Sequence, residues 1–160
     1  MLSERLENYL DGNRVHYTHS IHPLAFTAQE VARAELMPPR HMAKVVIFHG
    51  DEGFGMAVVS ADSIVDMQEL SAITGQAHLR LATELEISRL FPDYELGAMP
   101  PFGNLYGMAV YVDTVIARQE TIAFNAGTHR DVVHMFYGDF DRLVSPVVAQ
   151  FAAHGVTAAR

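Results

Sequence analysis

The chain has 160 residues, 49% hydrophobic and 19% charged, which excludes intrinsic disorder and leads us to expect one domain over residues 1–160. Nineteen acidic against eleven basic residues give a net charge of −8, so a protein that coats DNA or RNA along its phosphates is not expected. The absence of cysteine removes disulfides, thiolate metal sites and a cysteine nucleophile.

The opening segment, MLSERLENYLDG, is charged from Glu4 onward. It reads as a helix over 3–11 ending at Gly12, not as a signal peptide. No apolar run approaches the roughly 18–20 residues of a bilayer span, so no membrane partner and a cytoplasmic location are expected. Val15–Ser20 alternates weakly and predicts a strand. Thr27-Ala28-Gln29-Glu30 fits a capping box, with Phe26 and Val31 placed as its hydrophobic staple. The helix it opens, 28–36, stops at Pro38-Pro39. Lys44–His49 and Phe54–Ala61 are β-rich runs that Gly50-Asp51-Glu52-Gly53 joins as a hairpin. Asp66 and Glu69 repeat the capping spacing and predict a helix over 67–74, stopped by Gly75. A short strand at His78–Ala82 follows, and Thr83-Glu84-Leu85-Glu86, with the same capping spacing, opens a helix over 84–90. Strands are predicted at Met108–Asp113, Thr121–Asn125 and Val132–Tyr137. A last helix over 139–153 must bend or restart at Pro146. Helices alternate with strands early and strands dominate later, which predicts an α+β fold with a mixed, mostly antiparallel sheet flanked by short helices. No G-x-G-x-x-G or G-x-x-x-x-G-K-[ST] fingerprint of a nucleotide fold is present.

Three features carry chemistry. Ten of the eleven basic residues are arginine (Arg5, Arg14, Arg33, Arg40, Arg80, Arg89, Arg118, Arg130, Arg142 and Arg160), and the only lysine is Lys44. Lys44 shares a strand face with Val46 and Phe48, while Ala43, Val45 and Ile47 occupy the other. A run apolar on both faces reads as an interior strand. Its ammonium must therefore reach the strand's mouth and water, pair with a carboxylate, or enter a pocket. The second feature is Gly97–Gly107, where three of eleven glycines and two of seven prolines precede a strand. Such a loop is either a tight connection or a stiff frame holding backbone N–H groups toward a carbonyl or oxyanion. The third is Phe124–Asp131, read as a hairpin turn with a glycine at its φ > 0 position, or as a turn that sets Thr128, His129 or Arg130 against a cleft or phosphate. His16, His19 and His22 are spaced by threes, but on a strand His19 faces away from the other two, and no H-E-x-x-H occurs. Neither a metal nor a cofactor is expected.

In order and spacing these features resemble the YbaK/prolyl-tRNA-synthetase-associated editing-domain family of free-standing aminoacyl-tRNA deacylases. Lys44 opens an apolar strand, and Gly97, Pro101 and Gly103 fit that family's G-x-x-x-P-x-G loop. The resemblance implies a curved sheet and trans-acting hydrolysis of the ester between a wrong amino acid and the tRNA 3′ ribose. It implies that Lys44 and the backbone of Gly97, Pro101 and Gly103 bind the substrate and the developing oxyanion, with water activated by the tRNA 2′-hydroxyl. A neutral Lys44 acting as base is the alternative. The implied partners are the acceptor end of aminoacyl-tRNA and an aminoacyl-tRNA synthetase, with no DNA. Phe26, Met42 and Met99 are the expected pocket residues, beside Gly127, Thr128, His129 and Arg130. Some members that clear alanine carry Asn after the lysine, where this chain has Val45. Competing readings are a non-catalytic binder of tRNA or a synthetase, and a Schiff-base enzyme using Lys44.

Overall fold

Side-chain caps decide where the helices begin. The computed structural model describes residues 2–23 and 27–154. The first helix, α1 (Glu4–Gly12), starts where Ser3 Oγ accepts the Leu6 N–H. Strand β1 (Tyr17–Ile21) follows, and α2 (Ala28–Ala34) opens on the reciprocal Thr27–Glu30 capping box. Phe26, the expected staple and pocket residue, lies outside the described residues. Strands β2 (Met42–Gly50) and β3 (Gly53–Ser60) form the predicted hairpin around Asp51-Glu52, and β4 (Ser63–Val65) continues from it. Asp66 caps α3 (Met67–Thr74), which Gly75 ends in the left-handed conformation. Next come β5 (Arg80–Leu81) and α4 (Glu84–Leu90), the latter with its own Thr83–Glu86 capping box.

Beyond the Gly/Pro loop lie β6 (Ala109–Asp113), α5 (Thr114–Ala117), β7 (Thr121–Asn125), β8 (Asp131–Phe136) and α6 (Tyr137–Val144). The expected helix over 139–153 is wrong beyond residue 144. Ser145 turns left-handed at φ 50° and Pro146 cannot donate to a continuing helix. The chain then forms β9 (Val147–Ala149) and β10 (Ala152–His154). Asp113 Oδ1 fixes that departure by accepting the N–H groups of Phe151 and Ala152, each at 2.9 Å.

The main sheet runs β1-β8-β7-β2-β3-β6-β9, with β5 also on β2, and β10 pairs with β4 separately. Most pairings are antiparallel; β2–β7, β3–β6 and β6–β9 are parallel. This is the α+β, mixed and mostly antiparallel architecture that the sequence predicts. Alternation along β2 sorts the core. Ala43 and Ile47 join Leu6, Leu10, Met56, Phe102, Phe124 and Phe140 on one face. Phe48 joins Ala57, Val59, Leu70 and Phe151 on the other. A smaller cluster under α2 gathers Val31, Ala32, Met42, Ala61, Ala123 and Val132. Strand β2 has a full partner on one side only. On its other side β7 pairs along Met42 and Ala43, and β5 begins at Phe48.

Glu35, just past α2, ties that helix to the sheet. Its Oε1 accepts from Ser20 Oγ at 2.6 Å and lies 3.0 Å from His134 Nε2. Burial pushes this carboxyl up, but the hydrogen bonds from Ser20 and His134 outweigh it and hold it below its usual value. The unfolded chain therefore binds this proton more readily, so the carboxylate contributes stability above about pH 4.5 that is lost as pH falls through the lowered value. Glu35→Gln is expected to lower stability by about 1–3 kcal/mol at pH 7. In urea unfolding at pH 7, 5 and 3.5 the difference should shrink with acidity; a constant difference would rule this account out.

Candidate active site

Lys44 lies near the start of β2, opposite Val59. Its Nζ donates to the Ser63 carbonyl at 2.6 Å. Ser60, fully buried, holds that segment by donating to Asp62 Oδ1 at 2.7 Å and sharing a 2.8 Å hydrogen bond with Ser63 Oγ. Burial lowers the Lys44 pKa, and the nearby Asp62 carboxylate raises it by less. The result is a partly desolvated ammonium that a nearby developing negative charge would stabilise.

Beside Lys44 opens a pocket of about 490 Å³. Ala43, Val45 and Ala61 form its floor, Gly97 and Met99 come from the Gly/Pro loop, and Asn125 comes from the end of β7. Residues 27–29, at the start of α2, close another side. Asn125 is 8% exposed, and among the described residues no donor reaches its Oδ1. A buried amide oxygen without a partner is costly, and a ligand donor would relieve it.

The loop that brings Gly97 here is clamped to the β7–β8 turn. Glu95 donates its N–H to the Gly127 carbonyl at 2.8 Å, and Gly127 donates to the Ala98 carbonyl at 2.9 Å. Glu95 Oε1 accepts the His129 N–H at 2.9 Å, and His129 Nε2 lies 2.7 Å from the Leu96 carbonyl. Gly97 sits at φ +85° with a Cβ position 3.4 Å from the His129 ring, so a side chain there would be strained and tight. Gly103 has another task. A Cβ on it would lie 3.0 Å from Val110 and 3.3 Å from Met56, so it lets the loop sink into the core.

The pocket thus unites Lys44, Gly97 and Met99 among the expected site residues. Pro101 and Gly103 are buried in the loop's descent and do not line it. Met42 is fully buried under α2, away from the lining. Gly127 and His129 hold the loop from behind. Thr128 Oγ1 is engaged within its own turn, bonding Asp131 and accepting the Arg130 N–H, while Arg130 is exposed. Asn125 and residues 27–29 were not anticipated. The only sequence signal for Asn125 was a polar residue ending an apolar strand before the glycine turn, and Thr27 read solely as a cap.

Residues 22–143 match the profile of the aminoacyl-tRNA editing domain. The multifunctional Ser/Thr-tRNA deacylase ProXp-y of Escherichia coli (strain K12) is 29% identical over 97 residues, which is 60% of this chain. The match spans 58% of that protein's length. Among solved structures, a candidate trans-editing enzyme for prolyl tRNA synthetase superposes with a TM-score of 0.82 at 22% identity, covering 96% of this chain and 99% of the other. The hypothetical protein APE2540 gives a TM-score of 0.85 at 18% identity, covering 94% of this chain and 100% of the other. At these identities the superpositions establish a shared fold.

Proposed function

The chain belongs to the aminoacyl-tRNA editing domain family, and from that premise we propose that it is a trans-acting deacylase of mischarged aminoacyl-tRNA. The observation that carries the reading is the meeting of Lys44, the Gly97 loop and the unpartnered Asn125 Oδ1 in one pocket. Hydrolysis of the ester places negative charge on its carbonyl oxygen, and a preorganised cation with backbone donors stabilises that charge. Lys44 supplies the cation and the Gly97 segment the backbone, with Pro101 and Gly103 setting the loop's path. Asn125 Oδ1 accepts from the substrate's ammonium or side-chain hydroxyl. The attacking water is activated by the ribose 2′-hydroxyl, which Lys44 also orients. The pocket's size fits a small amino acid with its ester, and Met99 sets the depth available to the side chain. The tRNA is held at its acceptor end, with Arg130 as a phosphate contact; a chain of net charge −8 has little to offer a longer backbone track.

The test is a deacylation screen on tRNAs charged with Ala, Ser, Cys and Thr. Loss of label from one or two of them, above the spontaneous rate, is the expected result. Binding of charged tRNA without turnover would replace this reading with a non-catalytic binding module. A borohydride-trapped adduct at Lys44 with a carbonyl substrate would favour imine chemistry instead.

A further inference from the structure

The two ends of α2 have different surroundings. Thr27, Ala28 and Gln29, at its start, line the pocket beside Lys44. Eight residues past Thr27, a span of about 12 Å at 1.5 Å per residue, Glu35 caps the far end. There Ser20 Oγ of β1 donates to Glu35 Oε1 at 2.6 Å, and His134 Nε2 of β8 lies 3.0 Å from the same oxygen. Between its ends the helix rests on the sheet through Val31 and Ala32, against Met42, Ala61, Ala123 and Val132. Three of those six side chains are alanine, so the contact has low relief. Apolar burial has no direction of its own, and here it holds α2 down without fixing where along its axis the helix comes to rest. The hydrogen bonds at Glu35 are directional and fix it. The next residue agrees. Leu36 takes the left-handed C-cap position at φ 56°, where glycine is usual. Its side chain is 93% exposed, so no packing of its own keeps it there. Neither Glu35 nor His134 lines the pocket beside Lys44; His134 opens onto a separate cavity with Thr18, Thr121 and Phe136.

We propose that Glu35, held by Ser20 and His134, is a positioning residue that sets the size of side chain the pocket accepts. It fixes the axial register of α2, and with it the room that residues 27–29 leave for the amino acid. The inference rests on the deacylase reading and adds to it a determinant of specificity that touches no substrate. Discrimination by one methylene in a pocket is only about 10–200-fold and depends on a wall that stays in place. A helix free to shift along its axis admits a longer side chain and grips the right one less well. Lys44 on β2 and Gly97 on its loop lie outside α2, so the groups that act on the ester keep their places. Releasing Glu35 therefore lowers affinity and selectivity and spares the chemical step.

The test compares Glu35→Ala, His134→Leu and His134→Gln on tRNAs charged with Ala, Ser and Thr. A glutamine amide can donate where His134 Nε2 does, and leucine cannot. Glu35→Ala and His134→Leu should raise KM for the best substrate about fivefold and leave kcat within about twofold. They should also lower the kcat/KM ratio between the best and the poorest substrate about tenfold. His134→Gln should keep that ratio within about twofold of the native value. Phe151→Leu, in the core on the sheet's other face, controls for lost stability and should leave the ratio unchanged. An unchanged ratio in Glu35→Ala, or an equal fall in the control, overturns the inference. Should Glu35→Ala melt too early to assay, Ser20→Ala, which removes one hydroxyl, takes its place under the same criteria. Amide hydrogen exchange reads the claim without substrate: exchange along α2 should quicken about tenfold in Glu35→Ala while β2 and β3 stay protected. No change in α2, or an equal change everywhere, overturns the inference. Should the native chain hydrolyse no charged tRNA, the deacylase reading fails by itself, and the exchange result alone decides whether Glu35 holds α2.

Discussion

Lys44→Ala is expected to lower kcat for deacylation by about 10²–10³-fold, the loss that follows removal of one oxyanion stabiliser. The protein should remain folded, because the substitution removes a partly desolvated charge and leaves only the Ser63 carbonyl without its partner. The pH profile separates the two roles open to this lysine. Burial lowers its pKa from 10.5, so its charge is lost as pH rises through that lowered value. If the charged form stabilises the transition state, the enzymatic rate, corrected for spontaneous hydrolysis, falls across that window. A neutral lysine acting as base gives the opposite slope. Lys44→Arg sharpens the test, since a guanidinium does not titrate in this range. Any activity it retains should lose the alkaline fall. Full activity in Lys44→Ala would remove the residue from the mechanism.

How far the sequence foretells this site depends on what kind of signal each part leaves. Lys44 and the Gly97–Gly107 loop stand out because a charge in an apolar strand and a cluster of glycine and proline are local anomalies. Their meeting is not local. It depends on β7 lying parallel to β2 at Met42–Ala43, a pairing between segments some eighty residues apart that no periodicity encodes. Asn125 enters the pocket through that same pairing, so its role becomes visible only in three dimensions. Helices α2, α3 and α4 were legible because caps are short-range: Thr27, Asp66 and Thr83 each bond the N–H three residues on, whereas the four-residue α5 is too short to show a period and was missed. The short strands β4, β9 and β10 were not. Three residues are too few to show alternation, and Pro146 reads equally as a kink or as an end. What settles the matter is Asp113, thirty-eight residues before Phe151 and invisible as a partner until the chain folds.

The largest loss of stability is expected from Phe102→Ala, a residue inside the loop but outside the pocket lining. Phe102 is 1% exposed. Its ring meets Tyr9, Phe124 and Phe140 edge-on, with centroids 5.9, 5.6 and 5.4 Å away. These contacts join α1, β7 and α6 beneath the loop, so truncation opens a cavity at the junction of three elements. Such a substitution costs about 3–5 kcal/mol, which for a domain of this size lowers the melting temperature by roughly 10 °C. Activity should fall even below the melting transition, where the variant is still folded. Gly97 and Phe102 belong to one short loop, and the pocket end is held by the Glu95–Gly127–Ala98 hydrogen bonds while the core end is held by this ring. With the ring gone the Gly97 backbone is fixed at one end only, so kcat should decline more than KM rises. Phe102→Leu fills most of the cavity and should recover over half of both losses. Calorimetry paired with deacylation at 15 °C checks the coupling. A variant that melts early yet turns over at the native rate would show that the loop needs no anchor in the core, and the stabilising role of the Gly97 backbone would fall with it.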